Sequence, residues 1–253
     1  MPLLLPPFTL HRNADTRADA PMTREMRALR VRLLRAQDLP SVAALRHEVL
    51  ATLQHPDCYV READEASFMR LHHPPHGETI GVFSGDVMVA YAMLGLPEVG
   101  HPDNLGAALG LTPEGRKAVA HLSSCMVRPA WRGLGLQRTL LGTRLALARS
   151  RGRHLCAAVV SLHNHSSRHN MLRRGLHVAG VELVDGLRRQ ITLIDLDHGL
   201  QVDQADQEFV DSDDFIGQRD AVSRGYVGVG EVRGPQQVRL RFVRRLDRQA
   251  VPL

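Results

Sequence analysis

The stretch Cys125-Met126-Val127-Arg128-Pro129-Ala130-Trp131-Arg132-Gly133-Leu134-Gly135-Leu136-Gln137-Arg138 decides the fold. Residues His121 to Val127 read as a strand, and Leu136, Leu140, Leu141, Leu145 and Leu147 recur at helical spacing toward Ser150. Pro129 and two glycines fill the gap between them. Glycine removes side chains where a phosphate must meet backbone, and a helix starting just afterwards presents amides at the positive end of its dipole. Strand, glycine turn and helix N-terminus in that order make a cradle for an anionic cofactor. The alternative is a strand-to-helix turn that needs glycine for steric reasons only. No Gly-Lys-Ser/Thr follows, which excludes a nucleotide P-loop, and Arg138 stands where G-x-G-x-x-G would place its third glycine.

Upstream, residues 1–28 lack apolar periodicity and read as a flexible N-terminal tail, with Met22 and Met26 as alternative starts. Arg30 to Leu34 alternates like a first strand. Val42, Leu45, Val49, Leu50 and Leu53 then mark a helix with Asp38 as its expected N-cap and Pro40 in its first turn. Thr79 to Phe83 and Val87 to Leu94 flank Ser84-Gly85-Asp86 as a hairpin, and Pro97 to Ala118 reads as a long irregular connection.

Downstream, Leu155 to Leu162 reads as a buried strand feeding a helix from about Ser166 to Arg174 that Gly175 stops. Val178 to Val184 and Arg189 to Leu196 form a closing hairpin around Asp185-Gly186. Past Leu200 the composition turns acidic, from Asp203 to Asp214, and reads as solvated charge, the alternative being a stretch that attracts a cationic acceptor. A helical Phe215 to Arg224 and a hairpin around Arg233-Gly234-Pro235 follow. Residues 201–253 are therefore expected to be an appended C-terminal extension. No internal repeat at a fixed period shows.

The 253 residues suffice for a full core, and the net charge of +5 comes almost wholly from arginine, Lys117 being the only lysine. Aromatics are too few for a basic-aromatic nucleic-acid surface, and no apolar run reaches the length of a membrane span, so neither nucleic acid nor membrane is expected as a partner. The prolines near Met1 interrupt any signal-peptide core, and Cys58, Cys125 and Cys156 lack a C-x-x-C pair, which fits a reducing, cytoplasmic compartment. His72-His73-Pro74-Pro75-His76 breaks metal-ligand spacing with its prolines, so no metal is expected.

The central stretch resembles the GNAT (GCN5-related N-acetyltransferase) superfamily, whose motif is V-x-P-x-x-[R/Q]-x-x-G-x-[G/A]. Val127, Pro129, Arg132 and Gly135 match it, and Gln137 replaces the final small residue. A second match is Asn164 and Ser167, followed by Arg173-Arg174-Gly175-Leu176, with Leu176 in place of the usual Phe. The resemblance implies an α/β (α+β) fold over residues 29–200, a twisted, mixed and mostly antiparallel sheet flanked by helices. It implies acetyl-CoA as co-substrate. The backbone of Gly133, Leu134, Gly135, Leu136, Gln137 and Arg138 would hold its diphosphate, and Cys125, Met126 and Val127 would pair edge-on with the pantetheine arm. Asn164 is either a pantetheine contact or the N-cap of its helix.

The implied reaction is acetyl transfer to a primary amine of a small molecule or peptide by direct attack, without a covalent acyl-enzyme. A neutral amine, oxyanion donors and a proton for the leaving thiolate are needed. His121 stands where relatives carry a glutamate base, and Glu78 is a second candidate; a strand-end histidine without catalytic work is the alternative for His121. Met171 occupies the position of the usual tyrosine acid. The Met126 and Val127 amides are the implied oxyanion donors. Two further readings stay open: a CoA-binding regulatory or assembly domain without turnover, and a transferase of longer acyl groups. The extension would cover the cleft or build a homodimer.

Overall fold

The computed structural model describes residues 29–246 apart from 60, 61, 63 and 236, so the tail expected over residues 1–28 lies outside the described residues. In chain order the elements are β1 (Leu29–Leu33), α1 (Leu39–Leu50), α2 (Glu65–Leu71), β2 (Gly77–Ser84), β3 (Val87–Gly95), α3 (Leu105–Ala108), α4 (Pro113–Ala118), β4 (Val119–Val127) and α5 (Leu136–Ser150). There follow β5 (Leu155–Ser161), α6 (His165–Arg173), β6 (His177–Val184), β7 (Leu187–Asp195), β8 (Val202–Asp211), α7 (Phe215–Ser223), β9 (Tyr226–Arg233) and β10 (Val238–Arg245). This is a mixed α/β fold with a mostly antiparallel sheet flanked by helices. Pairing is antiparallel at β1–β2, β2–β3, β5–β7, β6–β7, β6–β9, β9–β10 and β8–β10, and parallel at β4–β5.

Two compact units arise. Among the described residues the first holds 29–54, 62–96 and 122–150, and the second 55–59, 97–121 and 151–246. In the first, β1, β2 and β3 run side by side with the later part of β4 next to β3. The sequence from Met88 to Leu94 is wholly buried, which explains its unbroken apolar run: α1 and α5 both pack on β3. Val42, Leu45 and Val49 supply the buried stripe of α1. Asp38 precedes that helix as expected but does not cap it with its side chain. Its carboxylate instead accepts two bonds of 2.7 Å from the Arg32 guanidinium and one of 2.8 Å from the Arg35 amide. The arginine holds the carboxyl down at about 2. A charge-assisted pair outcompetes a neutral amide of the helix for the same oxygens.

In the second unit the first three residues of β4 pair with Leu155–Ala157. The β6–β7 turn carries Asp185 at φ 52° and Gly186 at φ 74°, the left-handed pair that matches strand twist in a tight hairpin. Two expectations need correction here. The connection from Pro97 to Ala118 contains α3 and α4, each opened by a side-chain cap: Asn104 Oδ1 accepts from the Gly106 amide at 2.9 Å and Thr112 Oγ1 from Gly115 at 3.2 Å. Helices of four and six residues are too short to show periodicity, and only their caps could have marked them. The acidic stretch is strand β8, and arginines meet its charges: Arg224 bonds both Glu208 oxygens at 2.6 and 2.8 Å, and Arg244 bonds Asp206 at 2.7 Å.

Candidate functional site: a glycine turn at a helix N-terminus

Val127 ends β4, and Pro129–Trp131 forms a single tight turn after it, with the Trp131 amide donating to the Arg128 carbonyl at 2.8 Å. Proline at the first position of that turn fixes φ without wasting a donor. Gly133 (φ 80°) and Gly135 (φ 77°) then both lie in the left-handed region, where a side chain would strain the backbone. The helical ladder of α5 starts with the Thr139 amide donating to the Gly135 carbonyl at 3.0 Å. The helix geometry therefore directs the amides of the preceding residues out of its N-terminus. Leu136 is buried and pins this end, while Arg132 and Gly133 are exposed.

The Arg132 side chain shapes the turn. Its Nε donates to the Val127 carbonyl at 3.4 Å and its terminal nitrogen to Thr52 Oγ1 at 3.0 Å, just past the end of α1. Arg128 faces Glu48 of α1 at 3.4 Å, and its amide donates to the Val89 carbonyl of β3 at 2.9 Å. Both arginines thus fasten the loop inside the first unit.

Within β4, Cys125 is half-buried, and burial pushes its thiol above the ordinary range despite the nearby Arg144 cation. A thiol so placed is a poor nucleophile. Arg144 of α5 is fully buried and donates to the carbonyls of Met93 and Ser123 at 3.2 and 3.0 Å. The Ser124 hydroxyl lies 3.1 Å from that of buried Tyr91. No motif or spacing in the sequence marks these hydroxyls and carbonyls.

Of the catalytic candidates, Glu78 lies buried at the start of β2 in the first unit, opposite Leu94. His121 belongs to the second unit, where its Nε2 accepts the Leu105 amide at 3.1 Å. A neutral imidazole has one lone pair, and this bond engages it at the start of α3. Asn164 Oδ1 accepts the Ser167 amide at 3.1 Å, so Asn164 caps α6 whatever else it does. Ser167 is buried on the same helix, and the Met171 sulfur accepts from Thr192 Oγ1 at 3.5 Å. The sequence candidates divide accordingly: Glu78, Cys125, Met126, Val127 and the loop Arg132 to Arg138 share the first unit, while His121, Asn164 and Ser167 share the second.

The histidines around the Pro74-Pro75 pair do not gather. His72 is buried and donates from Nδ1 to the Phe68 carbonyl at 2.7 Å. Elsewhere His55, Asp57 and His163 approach within 4.8 Å through their ligand atoms. The two rings stack 3.8 Å apart at 18°, so one ion cannot lie in both ring planes, and His55 Nδ1 already accepts the Asp57 amide. That arrangement is a stacked pair, not a ligand set. Among the described residues no helix is long and apolar enough to cross a membrane.

A family model described as the acetyltransferase (GNAT) family matches residues 44–176, just over half of the chain. The chain belongs to that family, a class of acyl-CoA-dependent transferases. Its fold is similar to that of an N-acetyltransferase from Staphylococcus aureus Mu50, with a TM-score of 0.51 and 16% identity over 66% of this chain and 98% of that one. A ribosomal-protein-alanine N-acetyltransferase from Brucella melitensis gives a TM-score of 0.48 and 21% identity over 66% and 99%. No curated protein sequence gives a significant match.

Proposed function

We propose that the protein transfers an acetyl group from acetyl-CoA to a primary amine of a small molecule or peptide by direct attack. The observation that carries this reading is the pair of left-handed glycines, Gly133 and Gly135, that turns β4 into the N-terminus of the 15-residue helix α5. The fit to the cofactor is one of backbone: no Cβ stands at either glycine, and successive amides with a positive helix end suit a diphosphate. Gly133, Leu134, Gly135, Leu136, Gln137 and Arg138 would hold it through main-chain donors. Arg132 supports the loop from behind, through Val127 and Thr52. Cys125, Met126 and Val127 would pair with the pantetheine arm as an added strand does, and Asn164 and Ser167 are assigned to the same arm by their motif.

When bound, acetyl-CoA supplies the activated acyl group. The chain's own task is to orient it, exclude water, accept a proton from the amine and place donors where negative charge develops. The Met126 and Val127 amides are the proposed donors. Glu78 or His121 takes the amine proton; for His121 this requires release of the Leu105 amide. The raised Cys125 thiol favours direct attack over an acyl-enzyme. With Met171 in place of an acid, the leaving thiolate takes its proton from Ser167, from solvent or from the departing ammonium.

Thiol release tests the reading. Purified protein is incubated with acetyl-CoA and a panel of amino acids, polyamines and peptide N-termini, and free CoA is measured. Turnover with any acceptor supports the transferase; binding of acetyl-CoA without thiol release across the panel leaves a CoA-binding regulatory domain instead. Competition among acyl-CoA chain lengths distinguishes acetyl from longer donors.

A further inference from the structure

The second unit contains the same arrangement twice. Strand β5 leads to the cap Asn164, the nine-residue helix α6, Gly175 at φ 93°, and the hairpin β6–β7. Strand β8 leads to the cap Asp214, the nine-residue helix α7, Gly225 at φ 90°, and the hairpin β9–β10. Each of these marks stands 50 residues after its counterpart: Asn164 and Asp214, Arg174-Gly175 and Arg224-Gly225. Few side chains agree, so the repeat escapes a reading of the sequence, where none was expected.

The strand order β5-β7-β6-β9-β10-β8 reads as one half followed by its mirror sequence. A two-fold axis between β6 and β9 produces that order, and it requires residues on the axis to face their own counterparts. They do: Val178 pairs with Gly228, again 50 residues apart. A Cβ on Gly228 would lie 3.1 Å from the Cβ of Val178, so two side chains could not meet there without displacement.

Contacts across the axis are reciprocal as well. Helix α6 packs on β9, and α7 packs on β6. From α6, Arg168 Nε donates to Glu231 of β9 at 2.9 Å; from the equivalent position of α7, Gln218 accepts from Gln190 of β7. Leu162, Leu172, Val178 and Val181 of the first half share one core with Phe215, Ala221, Tyr226, Leu240 and Phe242 of the second.

We propose that residues 202–245 are a divergent second copy of the half-domain β5–α6–β6–β7, docked so that one chain holds both sides of an interface made for two. The partner that fits the exposed edge of β6 and the face of α6 is this half-domain, and here it is supplied covalently. The second copy carries Asp214 and Gly217 where the first carries Asn164 and Ser167, and the short turn through Gly199 that joins β7 to β8 leads into a strand, not into a helix N-terminus as the turn through Gly133 and Gly135 does. Among the described residues one glycine turn thus leads from a strand into a helix N-terminus, and the chain has no need of a homodimer through β6.

The test uses the full chain with a protease site inserted at exposed Gly199, between β7 and β8. The intact protein should sediment as a single 28.0 kDa species at tens of micromolar. After cleavage the two pieces should stay together by native mass spectrometry. Gln218→Ala and Glu231→Gln, which cut contacts across the axis, should each weaken that retention about tenfold or more. Thr192→Ala, whose bond to the Ala158 carbonyl stays within the first copy, should leave it unchanged. A dimeric intact chain overturns the proposal. So does loss of the C-terminal piece on cleavage, or equal weakening by all three substitutions. None of these readouts depends on acetyl-CoA, so failure here leaves the transferase reading standing.

Discussion

Arg168, with no exposed surface, donates through Nε to Glu231 Oε1 at 2.9 Å, and the Glu231 side chain is itself only 3% exposed. Burial alone would raise the Glu231 carboxyl, yet Arg168 first, then Arg233 and His169, hold it below the ordinary range. The same guanidinium donates to the Leu162 carbonyl at 3.0 Å, so the β5–α6 turn is braced from β9. Removing one partner strands a buried charge. Glu231→Ala is expected to cost about 3–5 kcal/mol. Urea unfolding monitored by circular dichroism checks this, and an effect below about 1 kcal/mol would show that the pair is replaceable by water.

The glycine turn should separate binding from folding. Gly133→Ala and Gly135→Ala each force a side chain into a left-handed residue at about 1–2 kcal/mol, with the strain placed where the diphosphate would rest. The expected result is an acetyl-CoA KM raised tenfold or more, with a melting temperature within several degrees of the parent. Unchanged KM for both variants would return the turn to its purely steric reading.

Base assignment is checked by contrast. Glu78→Gln is expected to lower kcat about a hundredfold or more, with a smaller effect on the KM for acetyl-CoA. His121→Gln keeps an oxygen acceptor for the Leu105 amide and should leave kcat within severalfold. The reverse pattern, with a pH–rate profile losing its lower limb in His121→Gln, would move the base to His121.

Cys125 offers a control. Its thiol is pushed up by burial, so Cys125→Ala should keep kcat within about threefold. Loss of activity together with a trapped acylated Cys125 in mass spectra of the parent would establish the acyl-enzyme route.

Acid should destabilise the fold through two buried histidines. Burial lowers His72 and His177 to about 4, while their unfolded values lie near about 6.5. Between those limits the unfolded chain binds more protons, so stability is full above about pH 6.5 and falls as pH drops toward 4. Each histidine contributes up to about 3 kcal/mol of that loss. Among the described residues neither ring nitrogen of His177 has a hydrogen-bond partner. His177→Leu should therefore flatten the profile, measured as the urea midpoint at pH 7.5 and 5, and a slope equal to the parent's would refute the assignment.

Much of the architecture was legible because it is written in local chemistry. The β2–β3 hairpin announced itself through two apolar runs around Gly85, the β6–β7 turn through Asp185-Gly186, and the end of α6 through Gly175. The loop from Arg132 to Gln137 was legible for the same reason: glycine is the residue that tolerates the backbone found there. Asp38 stands at the N-cap of α1 as its sequence position indicates, but a nearby arginine, not the helix, takes its oxygens. The short helices α3 and α4 were missed because neither is long enough to repeat.

What the sequence by itself determined, then, is the order of the longer strands and helices as far as β7 and the place of the glycine turn, both consequences of periodicity and of residues with special backbone freedom, while the motif around that turn carried the resemblance to the family. The tertiary structure alone decided which distant residues meet. Glu231 lies 63 residues from Arg168 and Gly228 lies 50 from Val178, and nothing local marks either pairing. A repeat preserved in caps, glycines and strand order, but hardly in side chains, becomes visible only when the two copies lie against each other. Burial settled the rest, because a carboxylate in water is one charge among many, while Glu231 in the core depends on the few partners within its reach, the buried Arg168 first among them.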